Sequence, residues 1–267
     1  MRDLYPPCHA LTQEEKCRRS LRGGGYALIC GLPPTRASLL DLGRHFGRVI
    51  RHELASPDGI YDVRITTGER AHCGRTSAEL APHTDSPFLE TPPTILVLQC
   101  VVPARTGGLT LLVDGRQLHQ SLLALGSPRE LSALDDPLPY TRGIHRLSRQ
   151  LFIRSKDRVQ ISYRSDCIAR AVCNSAQLAL CERVDQYISS RRRQEIVALS
   201  TGDILVIDNK RTLHGRTGFP AADRRHYRRL WCDGSLQRGS SGFVPMVASQ
   251  PGSLTSTPAR GPNDAGC

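Results

Sequence analysis

His83-Thr84-Asp85 places an imidazole and a carboxylate two positions apart, and in an extended segment such residues project to the same side, where both can grip one metal ion. A single H-x-D is common by chance, and on its own it also reads as a histidine paired with a carboxylate at a strand end. Three further features sharpen it. His214 follows the apolar run Gly202-Asp-Ile-Leu-Val-Ile-Asp-Asn209 through Lys210-Arg-Thr-Leu. Arg225 comes eleven residues later, in Arg224-Arg-His-Tyr-Arg-Arg-Leu-Trp231, where a returning strand brings a guanidinium beside the same cavity. Gly107-Gly-Leu-Thr110 is a glycine-permitted turn that opens a strand with a hydroxyl at its start. Two histidines, one carboxylate, one arginine and one threonine on neighbouring strands form a specific constellation.

The elements that must position these groups are mostly short and apolar. Thr12-Gln-Glu-Glu15 reads as a capping box opening a helix that stops at Gly23-Gly24-Gly25. A strand over Tyr26–Cys30 follows, then a helix capped by Thr35 that runs through His45 and ends at Gly47. The glycine triplet precedes its strand, and no phosphate-loop signature accompanies it. Strands are expected over Thr94–Val102, Leu109–Asp114, Leu151–Arg154, Val159–Arg164, Asp203–Ile207 and Arg229–Cys232, with a helix over Ser175–Ser200 that has apolar residues at Leu178, Cys181, Val184 and Ile188. Helices first, then many strands around one helical insertion, point to an antiparallel β-sandwich or jelly roll with helical buttresses. The Gly-, Ser- and Pro-rich stretch 236–267 reads as a disordered tail after one domain over 1–235, and its removal from Ser235 onward is expected to leave iron binding intact.

The ordered blocks H-T-D, P-P-T-I-L-V-L-Q-C, G-G-L-T-L-L-V-D, G-D-I-L-V-I-D-N-x-R-x-L-H-G-R and R-H-Y-R-R-L-W resemble the iron(II)- and 2-oxoglutarate-dependent dioxygenases related to taurine dioxygenase, clavaminate synthase and γ-butyrobetaine hydroxylase. The resemblance covers about residues 25 to 233. It implies a mainly β fold with flanking helices, a double-stranded β-helix of the cupin-like jelly-roll type. It implies His83, Asp85 and His214 as iron ligands, Thr110 and Arg225 as anchors of the 2-oxoglutarate cosubstrate, and Arg229 as a contact to the substrate. The implied reaction consumes O2, passes through an iron(IV)-oxo, hydroxylates a small amino-acid-like or specialised-metabolite substrate, and releases succinate and CO2. Desaturation, cyclisation and demethylation are other outcomes of the same class. Asp85 argues against halogenation, because related halogenases carry a small residue there to admit chloride.

The residue types suit these roles. Two imidazoles and one carboxylate on one face of a ferrous ion leave positions open for the keto acid and for O2. The distal carboxylate of 2-oxoglutarate needs a permanently charged fork, which arginine supplies and lysine does not. Arg228 is expected to face solvent, Asp208 and Asn209 to be turn residues, and Arg191-Arg192-Arg193 to be a solvated helix end. Substrate identity is expected to reside in 55–80 and in a short lid insert over Pro128–Ile144.

Composition narrows the partners. The chain has 267 residues and a formal net charge of +11. Lys16, Lys156 and Lys210 are the only lysines among 36 basic residues. This one-sided arginine usage, with no basic stripe, makes nucleic acid an unlikely partner and a small anionic or zwitterionic molecule the expected one; a non-catalytic jelly roll that binds a polyanion is the alternative. Ten cysteines without a C-x-x-C pair exclude zinc-ribbon and thioredoxin readings. They read as reduced thiols, and with no apolar leader or membrane-length run the expected compartment is the cytoplasm.

Overall fold

The computed structural model describes residues 13–66, 73–142, 145–166, 170–171, 174–235 and 241–245. Helix α1 (Gln13–Gly24) leads into β1 (Tyr26–Ile29), and α2 (Arg36–Arg44) is capped by the Thr35 side chain, which accepts from the Ser38 amide at 3.2 Å. The proposed capping residue Thr12 lies outside the described residues. Strands β2 (Val49–Ile50), β3 (Tyr61–Arg64), β4 (Leu80–His83), β5 (Ile95–Val102) and β6 (Thr110–Asp114) precede α3 (Gly115–Leu125) and α4 (Pro128–Ser132). Strands β7 (Leu138–Arg142), β8 (His145–Arg149), β9 (Phe152–Ser155), β10 (Arg158–Ile161) and β11 (Arg170–Ala171) lead to α5 (Ser175–Ser189). The last strands are β12 (Glu195–Val197), β13 (Ile204–Asp208), β14 (Thr212–Arg216) and β15 (His226–Cys232).

Two antiparallel sheets face each other, as the jelly-roll expectation requires. The larger runs β1-β13-β5-β15-β2 with β3 also on β15, and the smaller runs β12-β6-β14-β4. The apolar run of β5, broken only by the buried Gln99, follows from its central place, buried on both faces. Ile95 and Val97 pack outward with α1 and α2 residues such as Leu21 and Leu39, while Leu96 and Cys100 face inward with Leu112, Leu205 and Trp231. A third cluster, including Leu118, Leu180, Val184 and Ile188, fills the space between the outer face of the small sheet and helices α3 and α5.

Three expectations are corrected by packing. The inserted helix ends at Ser189 rather than Ser200; Arg191–Arg193 form a single 3-10 turn and Glu195–Val197 become a strand that pairs with β6. Its buried face is Gln177, Leu180, Val184 and Ile188, whereas Leu178 is half exposed, because the stripe that meets the small sheet runs one side of the helix further round than apolar content alone suggests. The stretch 241–245, assigned to the tail, is packed: Phe243 is 1% exposed, exchanges two backbone hydrogen bonds with Val159 at 2.8 and 2.9 Å, and joins the third cluster. Residues 236–240 and 246–267 lie outside the described set.

Candidate active site

β4 and β14 are neighbours, and their register sets His83 directly opposite His214. Asp85 lies just past the end of β4. Donor atoms of His83, Asp85 and His214 lie within 4.8 Å of one another, close enough to share one metal ion. His83 Nε2 is 3.5 Å and His214 Nε2 3.8 Å from Asp85 Oδ1. The His83 Nδ1 bond of 2.9 Å to the Ala81 carbonyl makes Nδ1 the protonated nitrogen and leaves the Nε2 lone pair for a metal.

The residues fit a divalent cation on independent grounds. Both ring nitrogens of His214 are buried without a hydrogen-bond partner among the described residues, a costly condition that a metal at Nε2 relieves. Burial and the neighbouring His83 push the His214 imidazole down to about 3, so it is neutral and able to ligate. Burial pushes the Asp85 carboxyl up, but the Arg229 charge, the His83 bond and the two imidazoles outweigh it and hold the group well below the usual carboxylate range. His214 and Asp85 are thus in their metal-binding protonation states.

The backbone around Asp85 is clamped from two directions. Thr84 donates its amide to the Tyr163 carbonyl at 2.8 Å and accepts the Tyr163 amide at its hydroxyl at 2.9 Å. Asn209 accepts the Asp85 amide at 2.7 Å and donates to the carbonyls of Asp85 and Pro93 at 3.2 and 2.8 Å. Asn209 does occupy the β13–β14 turn, as its residue type suggests, but it is 1% exposed and serves the metal ligand. Trp231 donates its indole N–H to Asp85 Oδ2 at 2.8 Å, and Arg229 Nη1 lies 2.9 Å from the same oxygen. Arg229 therefore faces the site, where it holds the outer oxygen of Asp85. Arg228 is a correction: it is largely buried and donates to the Pro34 carbonyl at 2.9 Å, because β15 is covered on that face by the 33–36 segment.

A cavity opens beside the triad, lined by Thr110, Arg216, Arg225 and the apolar Leu80, Leu96, Leu98 and Ile207. Arg225 is 5% exposed, stacks with its Cζ 3.7 Å from the Tyr227 ring centroid, and donates Nε to the Gly108 carbonyl at 3.2 Å. Among the described residues no carboxylate pairs with it, so a buried positive charge waits for an anion. The Gly107-Gly108 turn earns its glycines: φ is +69° and +63°, and a Cβ on Gly108 would sit 3.0 Å from Arg225 Nε. Arg216, two residues after His214, is pushed down to about 10 by burial and by Arg225, and it donates to the carbonyls of Gly74, Thr76 and Ala78, fastening the 74–78 loop over the cavity.

Residues 6–231 match the model of the family described as taurine catabolism dioxygenase TauD, TfdA family. The chain belongs to this TauD/TfdA family. Mitochondrial trimethyllysine dioxygenase of Rattus norvegicus is 29% identical over 216 residues, covering 73% of this chain and 49% of the relative. The γ-butyrobetaine dioxygenase of Pseudomonas sp. (strain AK-1) is 23% identical over 239 residues, covering 80% and 58%. The chain thus spans about half the length of the curated relatives it matches. A solved asparagine oxygenase in complex with Fe(II), 2S,3S-3-hydroxyasparagine and succinate superposes with a TM-score of 0.65 at 18% identity, covering 86% of this chain and 84% of that one, which shows the shared fold. Among the described residues no helix is long and apolar enough to cross a membrane.

Asn209, Trp231, Tyr163 and Arg216 were not singled out as site residues from the sequence. The one available signal was Trp231, the chain's single tryptophan, at the end of the strand that follows Arg225.

Proposed function

We propose that the chain is an iron(II)- and 2-oxoglutarate-dependent oxygenase that hydroxylates a small amino-acid-like or specialised-metabolite substrate. The observation that carries this is the pairing of a metal-ready triad with a buried, anion-deficient arginine in one cavity. Family membership and the fold shared with an asparagine oxygenase support it. Bound iron supplies the O2 activation by which 2-oxoglutarate and O2 become succinate and CO2 while a substrate C–H becomes C–OH.

The chain's own residues do the rest. His83, Asp85 and His214 hold the metal from one side. Arg225 binds the distal carboxylate of 2-oxoglutarate, and Thr110 donates a hydrogen bond to it. Leu96, Leu98 and Ile207 keep water from that carboxylate's pocket, which strengthens its pairing with the guanidinium. Trp231 and Arg229 fix the Asp85 carboxylate so that Oδ1 faces the two imidazoles. Arg229 also lines the chamber on the far side of the triad, where it meets the substrate. The inward burial of Arg216 and Arg225 favours this reading over polyanion binding, which needs its arginines on an open surface.

The test is succinate formation from 2-oxoglutarate in the presence of Fe(II), ascorbate and O2, with and without candidate amino acids. Wild type is expected to form succinate, slowly even without substrate, and His214→Ala to form none. Absence of succinate from wild type that binds neither Mn(II) nor 2-oxoglutarate would overturn the proposal.

A further inference from the structure

We infer that the chamber beyond the metal triad recognises its substrate through a carboxylate, received by Arg142 and Arg164, and rejects quaternary ammonium groups. This rests on the oxygenase reading above and names the class of substrate for the same site.

The chamber meets the 2-oxoglutarate cavity at His83 and Arg229. Among the described residues three guanidiniums line it, those of Arg142, Arg164 and Arg229, against one carboxylate, Asp85. Asp85 is committed to the metal set and to Arg229 and Trp231. Arg142 and Arg164 do have acidic partners, Glu53 and Asp166, but neither of these lines the chamber. Arg164 spends Nε and Nη2 on Asp166 at 2.8 and 2.6 Å. Its remaining nitrogen, Nη1, lies on the Asp85 side, 3.8 Å from Oδ1. Glu53 is half exposed, so its pairing with Arg142 is screened by water and yields readily to a substrate anion. A walled cleft with this balance focuses positive potential on whatever enters it.

The aromatic lining points the same way. Tyr61, Phe88 and Trp231 are the types that hold trimethylammonium groups when their faces are free. Here the faces carry resident cations. Arg229 Cζ lies 5.0 Å from the Tyr61 centroid and 5.2 Å from that of Trp231, and Arg142 Cζ lies 4.8 Å from that of Phe88. Arg75 adds a second guanidinium at 5.0 Å from Tyr61. A quaternary ammonium finds these faces taken and like charges beside them, whereas a carboxylate finds planar forks held flat by the rings. The chamber thus departs from what the names of trimethyllysine dioxygenase and γ-butyrobetaine dioxygenase suggest for those relatives.

Trp231 is the chain's single tryptophan and lines this chamber, so its fluorescence reports occupancy directly. With Mn(II) and 2-oxoglutarate bound and O2 excluded, the probes are γ-butyrobetaine, its isostere with a neutral tert-butyl group in place of the trimethylammonium and the carboxylate kept, and N-acetyl-L-glutamate. The isostere and N-acetyl-L-glutamate are expected to bind at least about tenfold more tightly than γ-butyrobetaine. Arg142→Gln is expected to weaken both by about tenfold or more, and Glu53→Gln, which frees the same guanidinium, to tighten them. Equal or tighter binding of γ-butyrobetaine, or affinities of both variants within twofold of wild type, overturns the inference. Binding of Mn(II) and 2-oxoglutarate without any response to the acids overturns carboxylate recognition alone; failure of wild type to bind Mn(II) and 2-oxoglutarate overturns the oxygenase reading with it.

Discussion

Replacing Asn209 with alanine tests the idea that a turn residue, and not only the strand geometry, holds Asp85 in place. The side chain makes three buried hydrogen bonds, one from the Asp85 amide and two to the carbonyls of Asp85 and Pro93. Each backbone group left unsatisfied in a buried site costs about 1–3 kcal/mol. Asn209 is 1% exposed and little water can substitute, so the loss of all three is expected to cost roughly 3–9 kcal/mol. That is a large share of a typical folding free energy of about 5–15 kcal/mol. Because the freed backbone belongs to Asp85 itself, metal affinity should fall as well, by about 10–100-fold, as it does when a ligand's supporting hydrogen bonds are removed elsewhere. Urea unfolding of the metal-free protein reads the first quantity and Mn(II) titration calorimetry the second, with Trp231 fluorescence confirming that the variant is folded. A variant that loses stability but binds Mn(II) within threefold of wild type would refute the positioning role. One that changes neither quantity would refute the hydrogen-bond argument altogether.

Arg225→Lys replaces a stacked planar fork with a point charge, and the KM for 2-oxoglutarate is expected to rise at least about tenfold with kcat less affected; a KM within threefold of wild type would rule Arg225 out as the anchor. Phe243→Ala empties a fully buried site and is expected to cost about 3–5 kcal/mol, seen as a fall in Tm of roughly 6–20 °C by calorimetry, where a change under about 1 kcal/mol would show that the 241–245 segment is not part of the core. Asp208 carries a pH signature. Burial raises its carboxyl from 3.8 to about 7, against the amides of Lys210 and Gly242 and the charges of Arg211 and Arg158, which favour the charged form. The folded state therefore holds the extra proton, so the contribution of this group is full below pH 3.8 and is lost as pH rises through 7. The stability of wild type relative to Asp208→Asn should accordingly decline with rising pH in that window, by up to about 1.4 kcal/mol per unit; a difference that is flat or grows with pH contradicts the assignment.

Much of the site could be read before any fold was known because its chemistry demands particular side chains. Only a few residue types ligate ferrous iron, and only arginine offers a permanent fork, so His83, Asp85, His214 and Arg225 stood out as types at intervals. Thr110 stood out because the Gly107-Gly108 turn before it has to adopt positive φ. Strands β1, β5, β6, β9, β10, β13 and β15 were legible from their apolar runs, most clearly β5, whereas β2, β3, β4, β7, β8, β11, β12 and β14, of two to five residues each, were not read. Face assignment also failed where the partner surface was unknown. Leu178 and Leu180 are equally apolar, and only the lie of α5 against the small sheet decides that Leu180 is buried and Leu178 is not.

The sequence by itself determined the kinds of groups present: a triad able to bind metal, an arginine and a threonine beside it, and enough apolar residues for two sheets to close over them. Tertiary structure alone decided how those groups are held and what surrounds them. Asn209 has the composition of a turn and becomes a clamp because the β13–β14 turn arrives beside Asp85, more than a hundred positions away in the chain. Phe243 looks like part of a polar tail and becomes core because an unfilled site between the small sheet and its helices happens to lie next to Val159. Arg142, Arg164 and Arg229 are three of many arginines until the fold turns them onto one chamber, where Arg142 and Arg229 occupy aromatic faces. The physical reason is common to all of these cases: chemistry is a property of a residue type, whereas burial, orientation and charge balance are properties of neighbours that the linear order does not list.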